Sequence, residues 1–153
     1  MTTDEGHRLV TITLGATAVF VVVALAAIAF TGFALELLRW VSVALFAIGC
    51  VVFLLAFFRA INRSRTEYIS VIGVYLLSGA GAPRLVRAAL LGATLVQTVV
   101  AIVAASVHPF TAAAFGILVP MFGLGMSGLW GATHGTFETR PDGHQGPTSE
   151  AQS

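Results

Sequence analysis

The chain has 153 residues, of which 57% are hydrophobic and 10% charged, with a mean hydropathy of +0.91. Soluble domains carry roughly 25% charged residues, so a water-soluble core is excluded and a membrane-embedded all-α protein is implied. The net charge of +1 hides an asymmetry: all eight basic residues are Arg, and most of them lie between Arg59 and Arg87.

Residues 1–8 are polar and mixed in charge and are expected to form a flexible N-terminus. Leu9 to Phe30 then runs without a charge, about 33 Å at 1.5 Å per residue, enough to cross a hydrocarbon core about 30 Å thick. This is the first span, 9–30. It is too long for the apolar part of a signal peptide, and Asp4 and Glu5 spoil the basic leader such a peptide needs.

A turn near Thr31 and Gly32 leads into the second span, 37–58. Glu36 and Arg39 are three apart, close enough to pair on one helical face, and Trp40 suits the headgroup level. Cys50 lies within this apolar run; a single Cys gives no disulfide framework, and its expected role is packing. Arg59, Arg63 and Arg65 end the span, with Glu67 as the expected partner of Arg63. Together with Arg84 and Arg87 they mark this connection as cytoplasmic and as a place where anionic headgroups collect. Four spans then place both termini in the cytoplasm.

The apolar piece 68–78 is too short to cross. It is expected to be an interfacial helix under the bundle with Tyr68, Val71, Ile72 and Tyr75 on one face; a re-entrant segment or a short strand are the alternatives. Pro83 suits the first turn of the third span, 84–107. Along that span Ala89, Ala93, Gln97, Ala101 and Ala105 make a small-residue row interrupted by one amide. Gln97 is the one strongly polar side chain deep in a span and should hydrogen-bond between helices.

The fourth span, 110–132, follows a short turn at His108 and Pro109. Gly123, Ser127 and Gly131 recur every fourth residue, preceded by Ala112, Gly116 and Pro120 in a similar row. Small residues at this spacing let backbones approach in lipid. Pro120 donates no amide hydrogen bond, so the Gly116 carbonyl is expected to be freed and the helix to bend there. Residues 141–153, rich in Gly, Pro, Ser, Thr and Gln, are expected to be a disordered cytoplasmic tail, closing a transmembrane domain of residues 9–140.

Pro109-Phe110-Thr111, Ala114-Phe115-Gly116, Leu118-Val119-Pro120, Phe122-Gly123-Leu124-Gly125, Gly128-Leu129-Trp130-Gly131-Ala132 and Gly135-Thr136-Phe137 with Arg140 resemble the signature of an uncharacterised family of small four-span membrane proteins of actinobacteria. The resemblance covers the chain from about Arg63 onward. That family has no assigned activity, so the resemblance implies architecture and transfers no catalytic or binding residue.

Chemistry is sparse. His108 and His134 flank the fourth span, roughly 39 Å apart along a helix, too far to share a metal. His7, His134 and His144 could meet at the cytoplasmic face, but no ligand-type spacing connects them. Gly125-Met126-Ser127-Gly128 misses a nucleophile elbow by one residue, and no phosphate loop of the Walker type occurs. No catalytic residue, metal site or cofactor is therefore expected, and the chain is not expected to be an enzyme. The expected function is a structural or accessory subunit of the cell membrane, multi-pass, associating through its Gly- and Ala-rich helix faces. Its partners would be membrane lipids and either further copies of itself or a larger membrane complex, with no nucleic acid. The alternative is an oligomeric transporter or lipid-handling protein without a proton-coupling carboxylate, since no ionisable group lies at depth.

Overall fold

The computed structural model describes residues 2–30, 32–64, 71–78 and 81–136. The described residues are helical with no strand: α1 (Thr2–Ala29), α2 (Phe33–Ser64), a single turn α3 (Val71–Tyr75), α4 (Arg84–Val107), a 3-10 helix (Ala112–Leu118) and α5 (Pro120–His134). Four segments are long and apolar enough to cross a membrane, the fourth being the 3-10 helix continued by α5. The second of the expected positions for 68–78, a strand, does not appear at 71–78. Residues 68–70, Arg65, Glu67, Arg140, His144 and the tail 141–153 lie outside the described residues.

The first helix starts at Thr2, where a flexible lead was expected. Asp4 and Glu5 occupy its first turn, where carboxylates complement the positive end of the helix dipole. Gly6 is buried, and a Cβ there would meet the Trp130 indole nitrogen and the His134 ring, so the lead is held by α5. The inward stripe continues through Thr13, Thr17, Phe20, Ala24 and Ala27, at alternating spacings of four and three that keep one helical face on the bundle.

The second helix is longer at both ends than the span 37–58. Its 32 residues reach about 48 Å, longer than a hydrocarbon core about 30 Å thick, with Glu36 and Arg39 near one end and Arg59 and Arg63 near the other. Glu36 and Arg39 form the expected ion pair. Its buried residues are Leu38, Ser42, Gly49, Ala56 and Ala60, whereas Val51, Leu54, Leu55 and Phe58 face outward.

The fourth span is not one continuous helix. Thr111 caps the 3-10 helix, its hydroxyl accepting from the Ala113 amide, and Pro120 stands in the first turn of α5. The Gly116 carbonyl is not left free: it accepts from the Val119 amide at 3.0 Å. The tighter i+3 pattern of the 3-10 helix supplies a donor that the missing Pro120 amide cannot. Proline thus starts a helix here instead of bending one.

This two-part segment packs against both α2 and α4, while α1 lies against α2, α4 and α5. Phe20, Leu38, Ala101, Ala113 and Val119 form the core of one half of the bundle. Leu77, Leu90 and Trp130, with Leu9, Val10 and Val86, form that of the other. The starts of α1 and α4 and the ends of α2 and α5 share this second half, so both described chain ends lie at one end of the bundle.

Candidate functional site

The expected packing residues occupy the centre, within a single chain. Ala93, Gln97, Ala101, Gly116, Gly123, Ser127 and Gly131 are buried, and Pro120 is half-buried. The rows do not each face one neighbour. A Cβ on Gly123 would meet Thr94 and, at 2.8 Å, the Gln97 Oε1, so this glycine fits α4; Gly116 lies over Ala101 of the same helix. A Cβ on Gly131 would instead run into the Val74 carbonyl of α3. Four residues advance a helix by 400°, so a row at that spacing drifts about 40° per step and passes from one partner to the next. The same drift shifts the α4 stripe: Ala89 and Ala105 are only half-buried, and Leu90 and Ala104 take the inward positions.

Sequence reasoning missed the backbone-to-backbone approach between α2 and α5. A Cβ on Gly49 would lie 2.6 Å from the Phe122 amide nitrogen, and one on Gly125 would lie 2.7 Å from the Gly49 carbonyl oxygen. The signal was present: Ser42, Gly49 and Ala56 are spaced by seven, an inner stripe of small residues in an otherwise bulky helix. Gly128 was also missed; its open side receives the ring of Tyr75.

Of the expected face of α3, Tyr75 turns into the bundle and Ile72 does not. Val74, Tyr75 and Leu77 are buried while Ile72 is 67% exposed. The Tyr75 hydroxyl donates to the Phe53 carbonyl at 2.9 Å, and the two rings stack. Burial raises the Tyr75 pKa above its usual 10.0, so the phenol remains a donor at neutral pH.

Gln97 makes the expected interhelical bond, donating from Nε2 to the Thr17 hydroxyl of α1 at 2.7 Å. Thr17 in turn donates to the Thr13 carbonyl at 2.8 Å. The Gln97 Oε1 is buried without a hydrogen-bond partner.

The arginines divide into two kinds. Arg59, Arg84 and Arg87 are exposed, as is Arg8, whereas Arg63 is half-buried. Arg63 donates to the carbonyls of Ala132 at 2.9 Å and Gly135 at 3.0 Å. It thereby binds the end of α5, where unsatisfied carbonyls and the negative end of the dipole favour a cation.

Two adjoining cavities flank His134 at this same end. The larger, about 390 Å³, lies among Gly6, His7, Pro83, Val86, Trp130, Thr133 and His134. The smaller, about 250 Å³, is lined by Glu5, Arg8, Leu9, Arg59, Leu129, Thr133 and His134. The His134 ring stacks on Trp130 with centroids 5.4 Å apart, and its Nδ1 is 2.7 Å from the Thr133 hydroxyl. That hydroxyl also donates to the Leu129 carbonyl at 2.7 Å, which makes Nδ1–H the donor to Thr133 and leaves Nε2 as the ring's other polar atom. Both cavities are thus mainly apolar; the first has an aromatic wall, the second also carries Glu5, Arg8 and Arg59, and the two share Thr133 and His134. Of these residues only Arg59 belonged to the expected site; His7 and His134, which could meet at this face by the sequence, both line the larger cavity, and the rest were missed because the constellation joins the first turns of α1 to the last turn of α5.

His108 lies at the opposite end, its ring 3.5 Å from the Ile28 carbonyl. Among the described residues no three His, Cys, Asp or Glu side chains are grouped as a metal would require. Comparison with protein-family models, characterised proteins and solved structures finds no match to this chain.

Proposed function

We propose that this is a multi-pass protein of the cell membrane that binds phospholipid at its arginine-rich end, and that this end faces the cytoplasm. The observation that carries the reading is the pair of adjoining, mainly apolar cavities, the second of which also carries Glu5, Arg8 and Arg59, at the level where α1 passes from polar to apolar residues. Arg8 directly precedes the apolar run of α1 and Arg59 directly follows Phe58, so both guanidiniums emerge at headgroup level. An arginine recognises a phosphate through parallel N–H donors, and hydrocarbon beside it favours an acyl chain over a free anion.

The orientation rests on Arg8, Arg59, Arg63, Arg84 and Arg87 sharing one end, against Arg39 at the other, already paired with Glu36. A subunit joined to its neighbours through the Gly and Ala rows needs those rows on its outer surface. Here they are spent between helices of the same chain, which favours the lipid-handling alternative over the accessory one. No Asp, Glu, Lys, Arg or His lies between Leu9 and Phe30, between Val41 and Phe58, or between Ala88 and Val107, which fits binding or passive handling of lipid better than proton-coupled export.

The test is native mass spectrometry of the full chain after mild extraction. Phospholipid retained at one per chain, and lost from an Arg8→Gln, Arg59→Gln double variant, is the expected result. A chain carrying no lipid but a stoichiometric protein partner would overturn the reading in favour of an accessory subunit.

A further inference from the structure

The smaller cavity carries more than a phosphate needs. Besides Arg8 and Arg59 it is lined by Glu5, and among the described residues none of these three side chains forms an ion pair with another. Glu5 has an ordinary role as a first-turn carboxylate on the α1 dipole. Asp4 occupies the same turn and can serve that role, yet only Glu5 lines the cavity. A simple anion would meet one unfavourable charge there. A zwitterion with its phosphate and cation a few bonds apart would meet a complementary charge at each end.

From this we infer that the site selects a phospholipid whose headgroup carries a primary ammonium beside its phosphate. The phosphate lies between Arg8 and Arg59, and the ammonium pairs with Glu5. The apolar neighbour lined by Trp130, Val86 and Pro83 receives the start of an acyl chain. Hydrogen bonding supports a primary ammonium over a trimethylated one: it offers three N–H donors to the Glu5 carboxylate, which a quaternary cation lacks. Selectivity comes from the charge that the wrong headgroup leaves against Glu5. The inference rests on the phospholipid-binding reading above, but the two fail separately.

The experiment is a competition read by native mass spectrometry. The delipidated full chain is offered equimolar phosphatidylethanolamine and phosphatidylglycerol with identical acyl chains in mixed micelles, and the ratio of the two adducts is counted. The site is solvated, so a preference of about fivefold for phosphatidylethanolamine is expected, the equivalent of about 1 kcal/mol for one exposed ion pair. Glu5→Gln should bring the ratio to near one, and Glu5→Lys should reverse it. Arg59→Gln should lower both adducts together. Because the readout is a ratio within one sample, a small loss of folded protein does not alter it. Equal binding of the two lipids by the wild-type chain, or a ratio that Glu5→Lys leaves unchanged, overturns the headgroup assignment while leaving phospholipid binding standing. Absence of both adducts on the wild-type chain overturns both.

Discussion

Helices α2 and α5 share the most extensive contact of any pair, and they are opposites. The segment containing α2 has a mean hydropathy of 2.8 over its apolar stretch, 17% of which is buried within the bundle; that containing α5 has 1.7, with 50% buried. In a soluble protein the more hydrophobic helix would be the inner one. In a bilayer the outer solvent is itself apolar, so bulky aliphatic side chains gain little by turning inward, and the centre goes to residues that let backbones meet. Leu54, Leu55 and Phe58 of α2 face outward, the arrangement such a solvent favours, while Gly49, one residue among them without a side chain, meets the backbone of α5.

That contrast can be broken at four strengths. The largest effect is expected from Gly49→Leu, which places a side chain where the Phe122 backbone stands. Overpacking against backbone that cannot yield should cost about 3 kcal/mol or more, visible as loss of the monodisperse peak and a steep fall in Tm in detergent. Gly15→Leu is its control, since nothing lies within 4 Å of that glycine's open side, and its Tm should stay near that of the wild type. Were both variants equally harmful, glycine would be acting through α-helix conformation and not through close approach.

Next comes Arg63→Met, which removes the two bonds to the Ala132 and Gly135 carbonyls. The half-buried guanidinium should contribute about 2 kcal/mol, in the range of hydrogen bonds to charged groups reduced for solvent screening. Faster amide exchange confined to the last turn of α5 is the diagnostic readout, and Arg63→Lys should recover part of it. Exchange rising equally in all helices would instead mean that Arg63 supports the whole bundle.

A smaller loss, about 1 kcal/mol, is expected for Tyr75→Phe. It deletes the hydrogen bond to the Phe53 carbonyl but keeps the ring stacked there and seated on Gly128. Chemical denaturation should register it, with α3 becoming more accessible to protease. Gln97→Leu should have the least effect, about 0.6 kcal/mol in either direction. The amide makes one bond to Thr17, yet buries an Oε1 with no partner. Thr17 keeps its own bond to the Thr13 carbonyl, so no new orphan donor is created. A loss of 3 kcal/mol at Gln97 would mean that Oε1 has a bonding role in the folded protein.

The third span shows how far periodicity reaches. Its bounds, 84–107, were legible from the apolar run between Pro83 and His108, and Ala93, Gln97 and Ala101 do face the bundle. The 68–78 segment shows where it stops. One helical turn carries too few residues for a periodic signal, and its inner face was set by Gly128 and Gly131 on a helix more than fifty positions away. The candidate site was less legible still. Arg59 stood out as part of a basic cluster, but Glu5, Arg8, Trp130 and His134 belong to the two extremities of the described chain and carry no motif linking them.

By itself the amino-acid sequence determined the number of segments long and apolar enough to cross a membrane and their approximate lengths, because apolarity depends on local composition and segment length on helical rise alone. Only the tertiary structure decided which small residue meets which helix, that Pro120 begins a helix after a 3-10 turn, and that the first turns of α1 close over the end of α5 to form the cavity that carries Glu5, Arg8 and Arg59. Those outcomes depend on the relative rotation of helices far apart in the chain, and a four-residue spacing that drifts by about 40° per step leaves that rotation open until the helices pack.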